Sequence, residues 1–435
     1  MARQTLAFYE PGHFHAALTL RIPNERIDQN VHVYAAPGPD RDKFLALVDC
    51  FNTRAEAPTS WVVHTHGSGD AAAQLEALLS DGAATAVVLA GKNDSKMATI
   101  ARLTAAGVHC LGDKPWITSI GALSALEAAT PPPSSAAALA MDIMTAKHDV
   151  LAKLRREIVR DDALFGGFCV DEERPAIEIG SVHHLVKLVN GAPLQRPAWY
   201  YDVGVQGNGL VDITSHMVDQ VRWLLDEDDK LYDFDTDVEL KRAVTHDTEV
   251  PLSLFRDSTG ADSFPESLVH LLRPSVPEGS GPLWAGGGVQ VLPLAANGVL
   301  EYSIRGVTAK HSAEWRPREP AGGSDLHSAT LRGAHCEIRV SNENSTGQTR
   351  LTLHPAASVD ATEFGQRLAT AVARWNAQPQ FQGVEALPLP PTDDGSGGAA
   401  GTGWLLTIPA EIATTHGRSG SLPYTVSGRA LAPSP

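Results

Sequence analysis

The segment AVVLAGKNDSKMATIARLTAAG, Ala86–Gly107, decides the fold class of this 435-residue chain. Its first five residues form an uninterrupted apolar run that stops at Gly91, which predicts a buried strand. The rest of the segment predicts a helix that ends at Gly107, because glycine commonly follows the last helical turn. A strand that leads directly into a helix is half of a βαβ unit, in which the next strand runs parallel to the first.

The same alternation continues on both sides of this segment. Further strands are predicted at Thr5–Glu10, Val31–Ala36, Trp61–Thr65, Val108–Leu111 and Ala136–Ile143, with helical patterns between them. Residues 1–145 are therefore expected to form an N-terminal Rossmann domain, a doubly wound parallel sheet with helices on both faces. Such sheets bind ligands outside the carboxyl ends of their strands. We expect ligand contacts in the turns after Glu10, Ala36, Ala90 and Leu111.

Residues 146–435 are predicted to form a C-terminal α/β domain with a large, mostly antiparallel open sheet. A helix is predicted around Val150–Ile158, and a late helix at Val359–Trp375. Strands divided by Gly, Pro and Asn turns are predicted at Leu252–Phe255, Leu268–Leu272, Val289–Leu292, Val299–Ile304, His335–Val340 and Thr349–His354. By composition, Pro131–Ser135 is a break and Pro390–Gly403 a flexible loop.

Composition excludes several classes of partner. The formal net charge of −16 at pH 7 argues against nucleic acid and anionic membranes, because phosphate contacts need clustered Lys and Arg. The four cysteines are scattered and predict neither a disulfide framework nor a zinc knuckle. No apolar run reaches the roughly 20 residues of a membrane helix, and residues 1–10 lack a signal-peptide core. We therefore expect a cytoplasmic protein.

The segment GNGLVDITSHMVDQVRWLL, Gly207–Leu225, predicts a second important helix. Its apolar residues recur at spacings of three and four, as in a helix with one buried face. Asp212 and His216 would share one face of that helix, with Cβ atoms roughly 5–6 Å apart. A carboxylate beside an imidazole can move a proton near neutral pH. The alternative is that Asp212 caps the helix and His216 is an ordinary half-buried residue.

The first turn should carry a G-x-G-x-x-G fingerprint if this domain binds a dinucleotide. The corresponding frame is Glu10, Gly12 and His15, so the middle glycine alone is present. His13 and His15 form an H-x-H pair, as His64 and His66 do, but neither pair has an evident third ligand in the sequence. We therefore expect no metal site. Asp40 follows the second strand too late to be a typical ribose ligand.

Lys114 lies in GDKPWITS, just past a predicted strand end where a ligand would bind. Pro115 restricts the backbone beside it. Taken alone, this position favours an ordinary surface lysine.

The order of AVVLAGKND, GDKPW and GNGLVDITSH resembles the Gfo/Idh/MocA family of nicotinamide-dependent sugar and polyol oxidoreductases. The family's E-K-P motif is similar to Asp113-Lys114-Pro115, and its D-x-x-x-H motif to Asp212 and His216. Its T-P-N segment is similar to Gly91-Lys92-Asn93, although Lys96 stands where a histidine often follows. The resemblance covers most of Thr5–Asp226 and indicates a branch with a distinct C-terminal domain.

The resemblance implies an enzyme that oxidises a secondary hydroxyl of a sugar, glycoside or polyol with NAD, NADP being the alternative cofactor. Lys114 would bind the reacting hydroxyl, His216 would remove its proton, and Asp212 would orient the substrate or the imidazole. The expected cofactor contacts are Gly12, His13, Phe14, His15, Asn93, Lys114 and Pro115. The expected substrate contacts are Lys114, Asp142, His184, Asp202, Asp212 and His216.

Other polar and aromatic residues are weaker candidates for the sugar pocket. His183 and His184 would point to opposite faces of a strand, so at most one of them would face a ligand. Trp199, Tyr200 and Tyr201 could stack on a sugar ring or pack in the core. Asp325 and His327 are further candidates.

Two other functions remain open at this point. One is a glycosidase that uses bound NAD for transient oxidation and elimination. The other is a non-catalytic regulator that binds a sugar or NAD. In each case the partner is a small carbohydrate, and a homodimer or homotetramer is expected because open sheets often pair subunits.

Overall fold

The computed structural model describes residues 3–67, 69–129, 138–144, 146–170, 173–189, 192–226, 233–275, 289–321, 323–342, 348–389 and 403–409. The chain divides into two compact units. The first unit comprises Met1–Met144, Leu188–Ser215 and Asp247–Ala295, and the second comprises Thr145–Lys187, His216–His246 and Ala296–Pro435. The predicted break at Pro131–Ser135, and the predicted loop at Pro390–Gly403 except its last residue, lie outside the described residues.

The first unit contains a six-stranded sheet in the order β3-β2-β1-β4-β5-β6, and every adjacent pair of strands is parallel. This is the strand order of a doubly wound Rossmann sheet, so the prediction for the N-terminal fold is confirmed. The strands are β1 Leu6–Tyr9, β2 Asn30–Tyr34, β3 Val62–His66, β4 Ala86–Leu89, β5 His109–Gly112 and β6 Ala140–Asp142.

Helices alternate with these strands as the sequence predicts. They are α1 His15–Leu18, α2 Pro39–Thr53, α3 Ala71–Asp81, α4 Lys96–Ala105 and α5 Leu123–Ala129. Local sequence determines where two of these helices begin. Pro39 occupies the first position of α2, and the Asp70 carboxylate accepts the Ala73 N–H at the start of α3.

The two faces of this sheet carry separate cores. On one face Phe8 lies in register between Val33 and Val88, and all three are fully buried. One residue along, Ala7 and Val87 pack into the core on the opposite face. Burial on both faces explains why the strands are continuous apolar runs in the sequence.

The remaining helices are α6 Val150–Val159, α7 Val203–Gln206, α8 Gly209–Asp212, α9 Thr214–Leu225, α10 Phe234–Asp237, α11 Leu252–Thr259, α12 Glu266–Val269 and α13 Ala361–Asn376. The remaining strands are β7 Ile177–Val186, β8 Leu188–Val189, β9 Ala192–Pro193, β10 Val238–Pro251, β11 Arg273–Pro274, β12 Gln290–Ile304, β13 Val307–Arg318, β14 Leu326–Arg332, β15 Cys336–Ser341, β16 Arg350–Pro355, β17 Glu385–Pro388 and β18 Trp404–Thr407.

A ten-stranded sheet follows the order β10-β12-β13-β7-β14-β15-β16-β18-β17, and β11 pairs with β12. Strands β13 and β7 are parallel, whereas the pairs from β7–β14 to β17–β18 are antiparallel. The predicted large, mostly antiparallel sheet is therefore confirmed. In β13 the buried residues His311, Ala313 and Trp315 alternate with exposed ones, so one face of the strand packs inward.

Two predicted strands are wrong. Leu252–Phe255 lies in helix α11, and Leu268–Leu272 overlaps helix α12 and the turn after it. Helix α11 buries Leu254, Phe255 and Ser258 at helical spacing, and it ends at Gly260, whose φ of +77° is accessible mainly to glycine. The apolar content of such short runs cannot separate a strand from a helix.

The other predicted elements fare better. The helix around Val150–Ile158 and the late helix at Val359–Trp375 correspond to α6 and α13. The two runs Val289–Leu292 and Val299–Ile304 are parts of one long strand, β12. Strand β10 escaped prediction because most of its side chains are exposed and it lacks an apolar run. In the described portion, no helix has both the length and the apolar character to cross a membrane.

Candidate active site

A buried ion pair joins Lys114 to Asp212 in the first unit. Lys114 lies two residues beyond the end of β5, and Asp212 is the last residue of α8. The Lys114 ammonium donates a hydrogen bond to Oδ1 of Asp212, and each side chain is only 8% exposed. The structure therefore brings together two of the three predicted catalytic residues at the carboxyl end of the parallel sheet.

Two neutral side chains complete the surroundings of the Asp212 carboxylate. Gln206 Nε2 donates to Oδ1 at 2.9 Å, and the Tyr200 hydroxyl donates to Oδ2 at 3.1 Å. Burial alone would raise the pKa of Asp212, but Lys114, together with His13 and the Tyr200 hydroxyl, lowers it to about 2. Burial beside this carboxylate also raises the pKa of Tyr200 well above its usual value. Asp212 is thus anionic at neutral pH, and its two oxygens are fixed.

Tyr200 and Gln206 were not predicted as site residues. The sequence predicts that Tyr200 stacks on a sugar or packs in the core, and Gln206 carries no signal beyond its place before Gly207. The segment that leads into α8 brings both side chains to Asp212.

A second lysine, Lys96, supports the same edge of the sheet. Its ammonium donates to Oδ1 of Asn93, to the carbonyl of Asp113 at 2.8 Å and to the carbonyl of Pro115 at 3.4 Å. The Asn93 amide donates to the Gln206 carbonyl at 2.8 Å. Burial is the main cause that lowers the pKa of Lys96 to about 8. Lys96 therefore ties the Asn93 turn to the backbone on both sides of Lys114.

The first turn differs from a standard dinucleotide turn. The N–H groups of Gly12 and His13 both donate to the Ala90 carbonyl, at 3.1 and 2.8 Å. A Cβ atom on Gly12 would lie 3.0 Å from the Trp199 ring and 3.2 Å from Asp40. Trp199 Nε1 donates to Asp40 at 2.8 Å. The missing side chain at Gly12 thus admits the Trp199 indole, and Asp40 holds that indole in place.

These observations test whether the edge fits a nicotinamide cofactor. The donor chemistry fits at Lys114, whereas the space beside Gly12, where a diphosphate would approach the backbone, is taken by the Trp199 indole. The N–H groups of Gly12 and His13 fit less well, because both already have an acceptor in the protein. The cofactor would therefore depend on side chains at this edge more than on the backbone of the turn.

Three predicted cofactor residues form a compact group in the first turn. His15 Nδ1 lies 3.0 Å from both carboxylate oxygens of Asp113, and His13 Nδ1 lies 3.4 Å from Oδ2. The His13 and His15 rings contact each other with centroids 4.2 Å apart, and the Phe14 ring contacts both with centroids 4.5 Å away. The prediction that neither H-x-H pair has a third ligand is wrong for His13 and His15, because Asp113 lies beside them.

Electrostatics in this group favour an anionic Asp113. Burial would raise the pKa of the Asp113 carboxyl, but the contact with His15, together with His13 and Lys114, holds it well below its usual range. Burial and the neighbouring His15 hold the pKa of His13 well below its usual value. His13 is therefore a neutral imidazole at neutral pH.

Two further predicted substrate residues of the first unit accept hydrogen bonds from backbone N–H groups close to them in the sequence. The Asp202 carboxylate accepts the Gly204 N–H at 2.8 Å and caps α7. Asp142 ends β6, is exposed, and accepts the Met144 N–H at 2.9 Å. Both residues stabilise turns, and these contacts give no direct indication of ligand binding.

His216 lies in α9, whose first residues complete the first unit and whose remainder belongs to the second. It is half-buried. The single helix predicted for Gly207–Leu225 is two helices, because the backbone turns at Ile213, where φ is −102°. The predicted role of His216 as a base stays a prediction.

His184 lies in a buried polar cluster of the second unit. His183 Nδ1 and His184 Nδ1 lie 3.0 and 3.2 Å from the carboxylate of Asp325, and Lys187 also donates to that carboxylate. The expectation that the two histidines point to opposite faces is wrong at their ring nitrogens, since both reach one carboxylate. Asp325 lies just before β14, beyond the strand pairing, where rings from adjacent positions can converge.

Comparisons with known proteins agree with this architecture. A family model described as "Putative oxidoreductase C terminal domain" matches residues 154–417. The crystal structure of "a putative oxidoreductase from Parabacteroides merdae ATCC 43184" is 31% identical, covers 95% of this chain and 88% of that chain, and has a TM-score of 0.82. No curated protein resembles the chain closely enough to count as a match.

More distant structures share the fold alone. A "putative oxidoreductase from Thermotoga maritima" is 13% identical over 84% of this chain and 89% of that chain, with a TM-score of 0.50. Levoglucosan dehydrogenase in its apo form is 13% identical over 82% of this chain and 78% of that chain, with a TM-score of 0.51.

Fold and site together define a two-part oxidoreductase with a Rossmann-type sheet. The chain belongs to the Gfo/Idh/MocA oxidoreductases, in the branch that carries this C-terminal domain. The predicted family and class of enzyme are therefore confirmed.

Proposed function

We propose that this chain oxidises a secondary hydroxyl of a sugar, glycoside or polyol with NAD as the acceptor, and that C3 of a sugar ring is the position oxidised. The observation that carries the proposal is the buried ion pair of Lys114 and Asp212 beyond the end of β5. Ligands of Rossmann sheets bind at this edge. The name of levoglucosan dehydrogenase, which shares the fold, gives a sugar derivative as its substrate.

Lys114 binds the oxygen of the reacting hydroxyl and stabilises the negative charge that develops on it. A fixed ammonium in a site with little water provides strong stabilisation of an incipient alkoxide. The direction of the ammonium is set by Asp212, which Gln206 and Tyr200 hold in turn. An ion pair also favours the charged form of each partner.

His216 receives the hydroxyl proton on an imidazole nitrogen. An imidazole titrates close to neutral pH, which suits a general base. The support for this role is its position four residues after Asp212, in the first turn of α9. When bound, NAD supplies the acceptor for the hydride of the substrate carbon.

The cofactor lies along the strand ends near Gly12, Asn93 and Lys114. Within this proposal, residues 1–145 bind the cofactor and residues 146–435 supply most substrate contacts and the subunit interface. We do not assign substrate contacts to Asp202 or His184, because their polar atoms already have structural partners. We propose a cytoplasmic homodimer or homotetramer, since large open sheets commonly pair subunits.

The test is an absorbance assay of NADH formation with a panel of monosaccharides, glycosides and polyols. Lys114→Ala and His216→Ala should each lower the rate at least about 100-fold, the range for removal of one charge-stabilising or proton-transfer group. Lys241→Ala is the matched control, because Lys241 is exposed on β10 and should leave the rate unchanged. Full rates in both site variants would remove the assignment.

The same assay separates the glycosidase alternative. A glycosidase that recycles its cofactor would release the aglycone without net NADH, whereas the proposed dehydrogenase forms NADH and a ketone in equal amounts. Product analysis by mass spectrometry therefore accompanies the absorbance measurement.

A further inference from the structure

We propose that His13, His15 and Asp113 form a binding site for one divalent first-row transition-metal ion, of which zinc is the representative. The three side chains are the one group of potential metal ligands found among the described residues, and their ligand atoms lie within 4.8 Å of one another. The inference does not depend on the proposed sugar oxidation.

The distances suit a single small cation. His15 Nδ1 lies 3.0 Å from the Asp113 oxygens, and His13 Nδ1 lies 3.4 Å from Oδ2. Bonds of ~2.0–2.1 Å to a tetrahedral zinc ion place neighbouring ligand atoms roughly 3.3 Å apart. The side chains therefore need only small adjustments to hold an ion between them.

The His13 ring lies beside Asp113 at a longer distance than the His15 ring does. His13 Nδ1 accepts the His15 N–H at 3.4 Å and lies 3.4 Å from Oδ2 of Asp113, whereas His15 Nδ1 lies 3.0 Å from both carboxylate oxygens. A nitrogen that accepts a hydrogen bond carries a lone pair, and a neutral imidazole with a lone pair is the form that binds a metal ion.

The backbone holds the ligands before an ion arrives. The Asp113 N–H donates to the Leu89 carbonyl at 2.8 Å, and the His13 N–H donates to the Ala90 carbonyl at 2.8 Å. The two turns that carry the ligands are thus fixed to the end of the same strand, β4. A preformed site of this kind binds a metal without paying much ordering entropy.

Ligand type and exposure define the class of ion. Two imidazole nitrogens and one carboxylate suit zinc, iron or nickel, whereas magnesium and calcium prefer sites made of oxygen alone. The side chains of His13, His15 and Asp113 are 12%, 11% and 8% exposed, so an ion has access to them. Three protein ligands leave a coordination position for water or for an oxygen of another ligand.

His64 and His66 supply a matched comparison within the chain. They repeat the H-x-H spacing on β3, but His66 Nδ1 lies 3.7 Å from the nearest carboxylate oxygen, that of Asp81. The His64 ring instead contacts Asn30 Oδ1 at 2.9 Å. If the H-x-H spacing alone were enough to bind zinc, both pairs would bind it. The geometry instead predicts binding at His13 and His15 and none at His64 and His66.

The experiment is a titration of chelator-treated full-length protein with ZnCl2, without NAD or sugar. Calorimetry gives affinity and stoichiometry, and mass spectrometry of the native protein counts bound ions. Wild type and the control His64→Gln/His66→Gln should each bind one equivalent at the site. Asp113→Asn and His15→Gln should weaken binding by more than about 100-fold, since loss of a direct ligand exceeds the 10–100-fold effect of an outer contact. The absorption spectrum of bound Co2+ should change in the same variants.

The proposal fails if wild type binds no zinc, if Asp113→Asn and His15→Gln keep wild-type affinity, or if the His64/His66 variant alone loses the ion. Circular dichroism and urea unfolding establish that each variant is folded. If Asp113→Asn does not fold, His13→Gln and His15→Gln decide the question. Because neither cofactor nor substrate is present, these outcomes are distinct from failure of the dehydrogenase assay.

Discussion

Two buried aspartates, Asp212 in the first unit and Asp325 in the second, have nearly the same chemistry. Each accepts a hydrogen bond from a lysine, and each has at least two further donors. Their side chains are 8% and 2% exposed. In both cases neighbouring cations and donors hold the pKa of the carboxyl below its usual value, against the effect of burial.

The two clusters differ in where their donors come from. The donors of Asp325 are His183, His184 and Lys187, close together at the end of β7, and they attach that strand to the segment before β14. The donors of Asp212 come from the turn after β5 and from the segment before α8. One cluster joins neighbouring strands of an antiparallel sheet, and the other lies at the ligand-binding edge of a parallel sheet.

The composition of a buried polar cluster is therefore not enough to identify an active site. Asp325 also presents its carbonyl to Asn342 Nδ2 at 2.8 Å, and His183 stacks on Trp315 at 5.0 Å. These contacts are those of a structural cluster. Location at the carboxyl ends of parallel strands is what gives the Lys114–Asp212 pair its functional interpretation.

The largest expected effect is on activity. Asp212→Asn should lower kcat/KM for NADH formation about 100–1,000-fold, because Lys114 loses the anion that directs it. Asp325→Asn should keep kcat/KM within about threefold, since its cluster supports the fold and not the reaction. Steady-state kinetics with the best substrate of the panel checks both. Equal losses would erase the proposed distinction between the clusters.

The next effect is on stability. Asp325→Ala should reduce the free energy of unfolding by roughly 3–5 kcal/mol, because it leaves Lys187 and two histidines without their shared acceptor. Glu363→Gln is the control: its i,i+4 ion pair with Arg367 is largely exposed and contributes about 0.3–0.5 kcal/mol. Urea unfolding followed by circular dichroism measures both. A loss below about 1 kcal/mol in Asp325→Ala would contradict a structural role.

Acid should also destabilise the protein through buried histidines of the second unit. Burial lowers the pKa of His311 and of His327 from 6.5 to about 3. Between these values the unfolded chain binds protons that the folded chain does not, so stability present above pH 6.5 declines as the pH falls towards 3. The slope is up to about 1.4 kcal/mol per pH unit for each histidine.

Urea unfolding at pH 7, 6, 5 and 4.5 tests this slope, and His311→Gln should make it shallower by about one proton. Asp212, with its lowered pKa, contributes only below the usual aspartate value near 3.9. Burial raises the pKa of Asp149 to about 6, so this carboxyl takes up a proton in the folded state within the window and opposes the slope. The difference between wild type and His311→Gln therefore isolates the histidine, and equal slopes in the two proteins would show that the His311 ring accepts a proton in the folded state.

The smallest expected effect concerns one hydroxyl group. Tyr200→Phe removes the hydrogen bond to Asp212 and should lower kcat/KM roughly tenfold, equivalent to about 1.4 kcal/mol. Tyr302→Phe removes a comparable bond to His311, at 3.0 Å in the second unit, and should leave kcat/KM unchanged. Both variants keep the buried ring, so a difference between them reports on the site.

Much of the fold was predictable because its physical signals are local. Continuous apolar runs such as Ala86–Ala90 report burial on both faces of a strand, and the turns that follow them report the edge where ligands bind. Helix α11 was predicted incorrectly because a short apolar run shows neither the helical nor the strand period of its residues. Strand β10 was not predicted because an exposed strand carries little hydrophobic signal.

The site was predictable in part. The motifs predicted that Lys114 and Asp212 share one site, but the ion pair that joins them across 98 positions of sequence is evident only in the structure. Nothing local marks Tyr200 or Gln206 as a neighbour of Asp212, or Asp113 as a neighbour of His15, because those contacts depend on how separate loops meet. The expectation that His183 and His184 point to opposite faces is wrong for a specific reason: alternation along a strand assigns faces but does not say which carboxylate lies at its end.

The most direct test of the central claim is a crystal structure of the complex with NAD and a substrate identified by the panel, in which the distance from Lys114 Nζ to the reacting oxygen is measured. We predict a hydrogen bond of about 2.7–3.2 Å, with Asp212 still in contact with the lysine. The account would be contradicted by a substrate that makes no contact with Lys114 while the ion pair between Lys114 and Asp212 stays intact.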